Sequence, residues 1–193
     1  MVRRMRELKY FVACSVDGFI ARTNGSFDFF PMEGEHLADL VRDYPETIPT
    51  HLRTELGVGG ANRHFDTVVM GRNTYQVGVN VGVTNPYGHL RQYLFSRTLA
   101  SSPDPNVQLV STDPLPFVRA LKQESGLDIW LCGGAELAAA LFPEIDELIL
   151  KVNPVVIGKG IPLFAREVEA TALRLISSKV YSHGFMLSRF RKA

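Results

Sequence analysis

Cysteine is scarce in this chain, two in 193 residues, which excludes a disulfide-stapled fold and a four-cysteine zinc site. Cys14 and Cys132 each lie in an apolar run, where a reduced core thiol is the expected state. The histidines at 36, 51, 64, 89 and 183 show neither HxxxH spacing nor a His/Cys grouping, so no metal site is expected. Long hydrophobic runs are missing: none reaches the roughly 18 residues of a membrane span. The N-terminus also lacks the apolar core of a signal peptide. Excess charge of either sign is absent, since the net charge is +1. No global field therefore draws the chain to nucleic acid or an acidic membrane. The basic clusters 3–6 and 189–192 read as solvated chain ends. A soluble, cytoplasmic protein is expected, with a small molecule rather than a nucleic acid or a membrane as its partner.

What is present is ordinary globular composition, 46% hydrophobic and 21% charged, enough for one domain over 1–193 with a core spanning about 8–190. The most informative stretch is Asp128–Pro143. Its apolar run 129–132 suits a buried parallel strand, Gly133–Gly134 permit a tight turn, and an Ala/Leu-rich helix follows until Pro143 stops it. Free N–H groups at such a helix start match a pyrophosphate, although glycine pairs also serve as plain turns.

Elsewhere, Leu8–Cys14, 67–70, 93–96, 107–110 and 147–152 read as strands, and Phe19–Ala21 as a short extended piece after the Asp17–Gly18 turn. Residues 35–44 carry Leu37, Leu40 and Val41 at helical spacing, with a second short helix near 50–56. Asp113 caps a helix over 114–125 with Pro114 at its first position, and Gly126 closes it. Residues 76–90 lack periodicity and read as a long loop, while 172–178 and 183–190 read as an antiparallel pair. Strands alternating with helices predict an α/β fold with a largely parallel sheet. Trp130 is expected in the core, and Lys159 is a solvated turn residue or a contact for a substrate phosphate.

In such sheets ligands bind beyond the carboxyl ends of the strands. Ser15–Asp17, Gly71–Thr74, Ser96–Arg97 and Gly133–Gly134 all fall there. Gly71 allows backbone approach, Arg72 supplies a forked cation, and Thr74 offers N–H and hydroxyl; Ser96–Arg97–Thr98 repeats that chemistry. Two arginines at two strand ends suit a nucleotide with an extra phosphate, NADPH rather than NADH, against the alternative of solvated charges.

The order of these pieces resembles a known family. Phe11–Val12–Ala13–Cys14–Ser15–Val16–Asp17–Gly18–Phe19–Ile20–Ala21 is similar to the first strand and loop of the dihydrofolate reductase superfamily. Val69–Met70–Gly71–Arg72–Asn73–Thr74–Tyr75 is similar to its strand-then-GRxT(W/Y) segment, and Leu131–Cys132–Gly133–Gly134 to its glycine pair. The Ser-Val-Asp-Gly form and Asn153–Phe164 resemble more narrowly the reductase domain of the bifunctional riboflavin-biosynthesis deaminase/reductase. The resemblance implies a dihydrofolate-reductase-like fold, NADPH as hydride donor, and a homodimer, for which the apolar segment Pro154–Phe164 is a candidate surface. Ala13 and Ile20 would border the nicotinamide. Arg72, Asn73 and Thr74, with Ser96 and Arg97, would hold the phosphates. Gly133, Gly134, Ala135, Glu136 and Leu137 would cradle the pyrophosphate.

No His-x-Glu with Pro-Cys-x-x-Cys, the pattern of the deaminase module, occurs in the sequence. The resemblance assigns no catalytic residue. On the substrate side, Asp17 is a candidate at the pocket mouth or a plain turn residue. Asp39, Glu33 and Glu35 are candidates for the carboxylate that dihydrofolate reductases keep on a helix. The expected activity is reduction of a small heterocycle, with the 5-amino-6-(5-phosphoribosylamino)uracil step of riboflavin synthesis nearest by resemblance. A pterin-type or other small-molecule reductase and a non-catalytic nucleotide-binding protein are the alternatives.

Overall fold

In the computed structural model, which describes residues 4–31 and 33–193, β1 (Leu8–Ser15) runs through the middle of the molecule. From Tyr10 to Cys14 its residues are apolar on both faces because both faces are covered. The chain continues through β2 (Phe19–Ala21), α1 (Glu35–Asp43), α2 (Thr50–Arg53), β3 (Phe65–Gly71), α3 (Arg72–Asn80), β4 (Arg91–Phe95) and β5 (Val107–Val110). After these come α4 (Pro114–Lys122), β6 (Asp128–Gly133), α5 (Ala135–Leu141), β7 (Ile145–Asn153), β8 (Ile161–Pro162), β9 (Leu173–Val180) and β10 (Met186–Lys192).

An eight-stranded sheet has the order β5-β4-β3-β6-β1-β7-β10-β9. The strands from β5 to β7 are mutually parallel, and β10 is antiparallel to both β7 and β9. One face packs Tyr10, Val12 and Leu131 against α4 and α5 through Val118, Leu121, Leu137 and Leu141. The other packs Phe11, Trp130 and Ile149 beneath α1 and α3 through Leu40 and Tyr75. Trp130 is core, and its indole N–H donates to the Phe11 carbonyl at 3.0 Å.

Three sequence expectations shift. Residues 76–80 belong to α3 rather than to a loop. Tyr75 and Val79, one helical turn apart, bury against the core, and Tyr75 Oη donates to the Thr84 carbonyl at 2.6 Å, pinning the segment that follows. Helix α4 stops at Lys122, so Gly126 lies beyond the helix end and turns the chain into β6 with φ +145°. Asp113 does cap α4, accepting from the Leu115 N–H at 3.0 Å.

The basic chain ends are not solvated as expected. Arg3 lies outside the described residues, but Arg6 is buried, paired with Asp66 and donating to Thr67 Oγ1 at 2.7 Å. Arg189 Nε donates to Glu147 Oε1 at 2.5 Å. Lys9 Nζ stands 2.9 Å from Asp128 and 3.5 Å from Glu147. The amino-terminal edge of the parallel strands is therefore a closed ionic network, and the opposite edge is left for a ligand.

The segment 154–164 folds onto its own chain. Ile161–Pro162 pairs with β2, Leu163 and Phe164 pack on the core, and Tyr10 Oη donates to the Leu163 carbonyl at 3.0 Å. Strand β9 is exposed along its whole length, at the edge of the sheet.

Candidate functional site

A cavity of about 1140 Å³ opens beyond the carboxyl ends of the parallel strands. Three strand ends build most of it. Strand β3 turns at Gly71 into α3 and presents Arg72, Asn73 and Thr74. Strand β4 delivers Ser96 and Arg97, and β6 delivers Gly133 and Gly134 ahead of Ala135, Glu136 and Leu137 on α5. Ala13 and Ile20 complete the wall from β1 and β2. The sequence-derived residues around the expected nucleotide thus share one cavity.

The glycines are there for two physical reasons. Gly134 has φ +102°, which L side chains rarely adopt, and a Cβ on it would meet Gly71 Cα at 3.4 Å. Thr74 Oγ1 would lie 3.4 Å from a Cβ on Gly133 and 3.5 Å from one on Gly134. Two strand-to-helix turns therefore touch backbone to backbone, and Thr74 seals the seam. The first N–H groups of α5 have no partner within their own helix.

The polar groups divide between structural and free. Ser96 Oγ accepts from the Thr98 and Leu99 N–H groups at 3.3 and 3.2 Å, so it shapes its turn first. Arg72 Nη1 donates to Thr98 Oγ1 at 2.9 Å, tying the β3 and β4 turns together. Arg97 is exposed on the wall. A third arginine, Arg166, also lines the cavity, with Nε 2.5 Å from Glu136 Oε2. Sequence reading missed it because residues 163–172 have neither periodicity nor a motif. Cys132 lies on the wall as well, its thiol pushed up to about 11 chiefly by burial, with Tyr87 Oη 3.9 Å from its sulfur.

The substrate-side candidates are placed elsewhere. The Asp17 carboxylate accepts from the Ile157 and Gly158 N–H groups at 3.2 and 2.7 Å and fastens that loop to the β1–β2 turn; it does not line the cavity. Hydrogen bonding, first to Ser15 and then to the Gly158 amide, holds its carboxyl below the usual range. Asp39 is paired with Lys179 and accepts from Tyr181 Oη at 2.8 Å, contacts that lower its carboxyl to about 2. It joins α1 to the β9–β10 hairpin, away from the cavity wall. Glu35 accepts from Ser182 Oγ at 2.7 Å, and neither it nor Glu33 lines the cavity. Lys159 likewise sits outside the wall.

Three arginines, five hydroxyls and glycine-flanked backbone surround one opening, an arrangement chemically suited to an anion. Among the described residues no His/Cys/Asp/Glu group is arranged to hold a metal. None of the described helices is long and apolar enough to cross a membrane.

A family model described as RibD C-terminal domain matches residues 6–187. The chain belongs to the RibD C-terminal domain family. Within reach of this family membership, the uncharacterized protein YwjB of Bacillus subtilis (strain 168) is 34% identical over 191 residues, covering 96% of this chain and 98% of YwjB. The uncharacterized protein YyaP of the same organism is 25% identical, covering 94% and 92%. Among solved structures, a putative riboflavin biosynthesis protein from Shewanella sp. PV-4 superposes with TM-score 0.71 at 22% identity, over 97% of this chain and 99% of that one. The Thermotoga maritima diaminohydroxyphosphoribosylaminopyrimidine deaminase/5-amino-6-(5-phosphoribosylamino)uracil reductase superposes with TM-score 0.67 at 14% identity. That match covers 98% of this chain and 57% of the Thermotoga chain. The fold is the expected α/β arrangement of the RibD reductase-like, dihydrofolate-reductase-like group.

Proposed function

We propose that this member of the RibD C-terminal domain family is an NADPH-dependent reductase of a small heterocyclic substrate, acting in the cytoplasm. The carrying observation is the convergence of the Gly71/Gly133–Gly134 seam with Arg72, Arg97 and Arg166 on one cavity large enough for a dinucleotide. When bound, the reduced nicotinamide would supply a hydride. The chain's own part is to fix the phosphates and exclude water: Arg72 and Arg97, with Thr74 and Thr98, present charge-assisted donors, and α5 presents free N–H groups. Ala13, with only a methyl group, leaves room for a flat ring against β1.

The substrate reading favours an aminopyrimidine over a pterin. A pterin site of the dihydrofolate reductase kind needs a carboxylate on its helix, and α1 spends Asp39 on Lys179 and Tyr181. The 5-amino-6-(5-phosphoribosylamino)uracil reduction is the reaction we assign first.

We further propose a homodimer through β9, whose exposed Leu173, Leu175, Ile176 and Val180 lie on an unpaired sheet edge.

Fluorescence titration with NADPH and NADH tests the cofactor. Loss of reduced-cofactor absorbance with 5-amino-6-(5-phosphoribosylamino)uracil and with dihydrofolate tests the substrate. Tight NADPH binding with turnover of the aminopyrimidine alone is expected. NADPH binding without turnover of either compound would leave a nucleotide-binding protein, and no NADPH binding would sink the whole reading.

A further inference from the structure

Among the described residues no carboxylate pairs with Lys151, a cation one strand from Ala13 and the proposed nicotinamide position. It lies on β7 in direct register with Ala13 of β1, so both side chains leave the sheet on the same face. Its Nζ is 4.5 Å from the Phe11 ring centroid, on the face roofed by α1. The titratable groups that couple to its charge are Cys132 on β6, Cys14 on β1 and His36 on α1. Burial pushes both thiols up to about 11, so they are neutral near pH 7. Burial also lowers His36, which stays uncharged there. None of these groups can balance an ammonium.

Lys151 is half-buried, and a cation–π contact with one phenyl ring offers its ammonium less than a carboxylate partner would. Among the described residues, three more deeply buried cations each have a carboxylate. Lys9 has Asp128 and Glu147, Lys122 has Asp146, and Arg6 has Asp66. Lys151 differs because of where it stands: at the ligand edge of the sheet rather than in the closed network at the other end. Two neighbours open toward the cavity, Ala13 from β1 and Cys132 from β6. Lys151 itself is not on the cavity wall; it stands one strand beyond Ala13.

We propose that Lys151 is the substrate-anchoring cation, and that the substrate is a heterocycle presenting an ionised or strongly polarised oxygen to it. The proposal deepens the reductase reading and rests on it for the cofactor's place against Ala13. It moves the substrate-recognising charge from an acid on α1 to a base on β7. It thereby selects ligands that dihydrofolate-type sites, built around a carboxylate, would repel.

Calorimetric titration of the whole protein, with and without NADP⁺, tests this using barbiturate, an anionic pyrimidine at neutral pH, against uracil, which is neutral. Barbiturate should bind more tightly than uracil to the wild type. Lys151→Met should weaken barbiturate about ten- to a hundredfold, the loss of a charged hydrogen bond, while uracil and NADPH change less than about threefold. Lys151→Arg should restore most of the barbiturate affinity. A second readout covers misfolding of the Met variant: the ¹³C-methyl resonance of reductively methylated Lys151, assigned by its disappearance in Lys151→Arg, should move on adding barbiturate. Equal losses for both pyrimidines, a stationary resonance, or no barbiturate binding by the wild type would each overturn the proposal. Failure of NADPH alone to bind would instead remove the cofactor reading, with the titration lacking NADP⁺ still deciding Lys151.

Discussion

Gly71, the last residue of β3, and Gly134, just past the end of the neighbouring β6, approach so closely that a methyl group on Gly134 would lie 3.4 Å from Gly71 Cα. The contact makes the two turns one rigid unit under the proposed pyrophosphate position. Gly134→Ala should lower stability by about 1–3 kcal/mol through its φ of +102° alone. It should also weaken NADPH, because the seam must open. Gly18→Ala separates the two effects: φ there is +83° with no atom within 4 Å of an added Cβ. Thermal melts should show losses in both variants, and NADPH titration a loss in Gly134→Ala only.

The three arginines should differ in what they read. Arg72→Ala and Arg97→Ala should each weaken NADPH about ten- to a hundredfold and NADH much less. The effect should shrink with added salt for the exposed Arg97. Arg166 is partly neutralised by Glu136, so Glu136→Gln should tighten NADPH. Titrating the three variants with both cofactors checks this; equal losses for NADH and NADPH would show that Arg72 and Arg97 do not recognise the extra phosphate.

Acid should loosen the closed edge of the sheet. Burial raises the Glu147 carboxyl, but the Arg189 hydrogen bond and the charges of Lys9 and Arg191 outweigh it, leaving the group below its usual value. A carboxylate depressed in the folded state contributes stability that is complete above its unfolded pKa of about 4.3 and is lost as pH falls through the folded value. Urea unfolding should therefore show a decline that begins below about pH 5 and flattens in Glu147→Gln. That variant should also lose about 1–3 kcal/mol at pH 7, chiefly through Arg189, which loses its carboxylate, while Lys9 keeps Asp128 and Arg191 keeps Glu7.

A charge placed on β9 should separate the proposed dimer. Leu175 is 54% exposed on the edge strand, so Leu175→Glu should fold normally and sediment as a monomer where the wild type sediments as a dimer. A wild type that is monomeric at micromolar concentration would remove the dimer.

The strand-end residues were legible because each announces itself locally: a β-branched or apolar run, then glycine, then helix formers. Asp113 was readable for the same reason. Arg166 and Lys151 were not, since one lies in an irregular segment and the other looks like any polar break in a strand. Lys151 becomes notable only through the strand pairing that sets it beside Ala13. Asp17 and Asp39 looked like site carboxylates because sequence position near a strand end or on a helix does not say which amides and cations fold back to claim them. The basic chain ends misled likewise, because their partners Asp66, Glu147 and Glu7 are far away in sequence.

Ala13 of β1 and Lys151 of β7 are register partners on adjacent strands of a hydrogen-bonded lattice whose spacing is about 4.8 Å, and Cys132 lies on β6, the strand on the other side of β1. The backbone, not the side chains, sets how far apart a thiol, a bare methyl and an ammonium stand. Exchanging any one of the three rewrites the chemistry offered to a ligand while the pitch of the lattice stays constant. Chains of this fold can therefore diverge in the ligands they take by single substitutions at these positions, with the ruler beneath them unaltered.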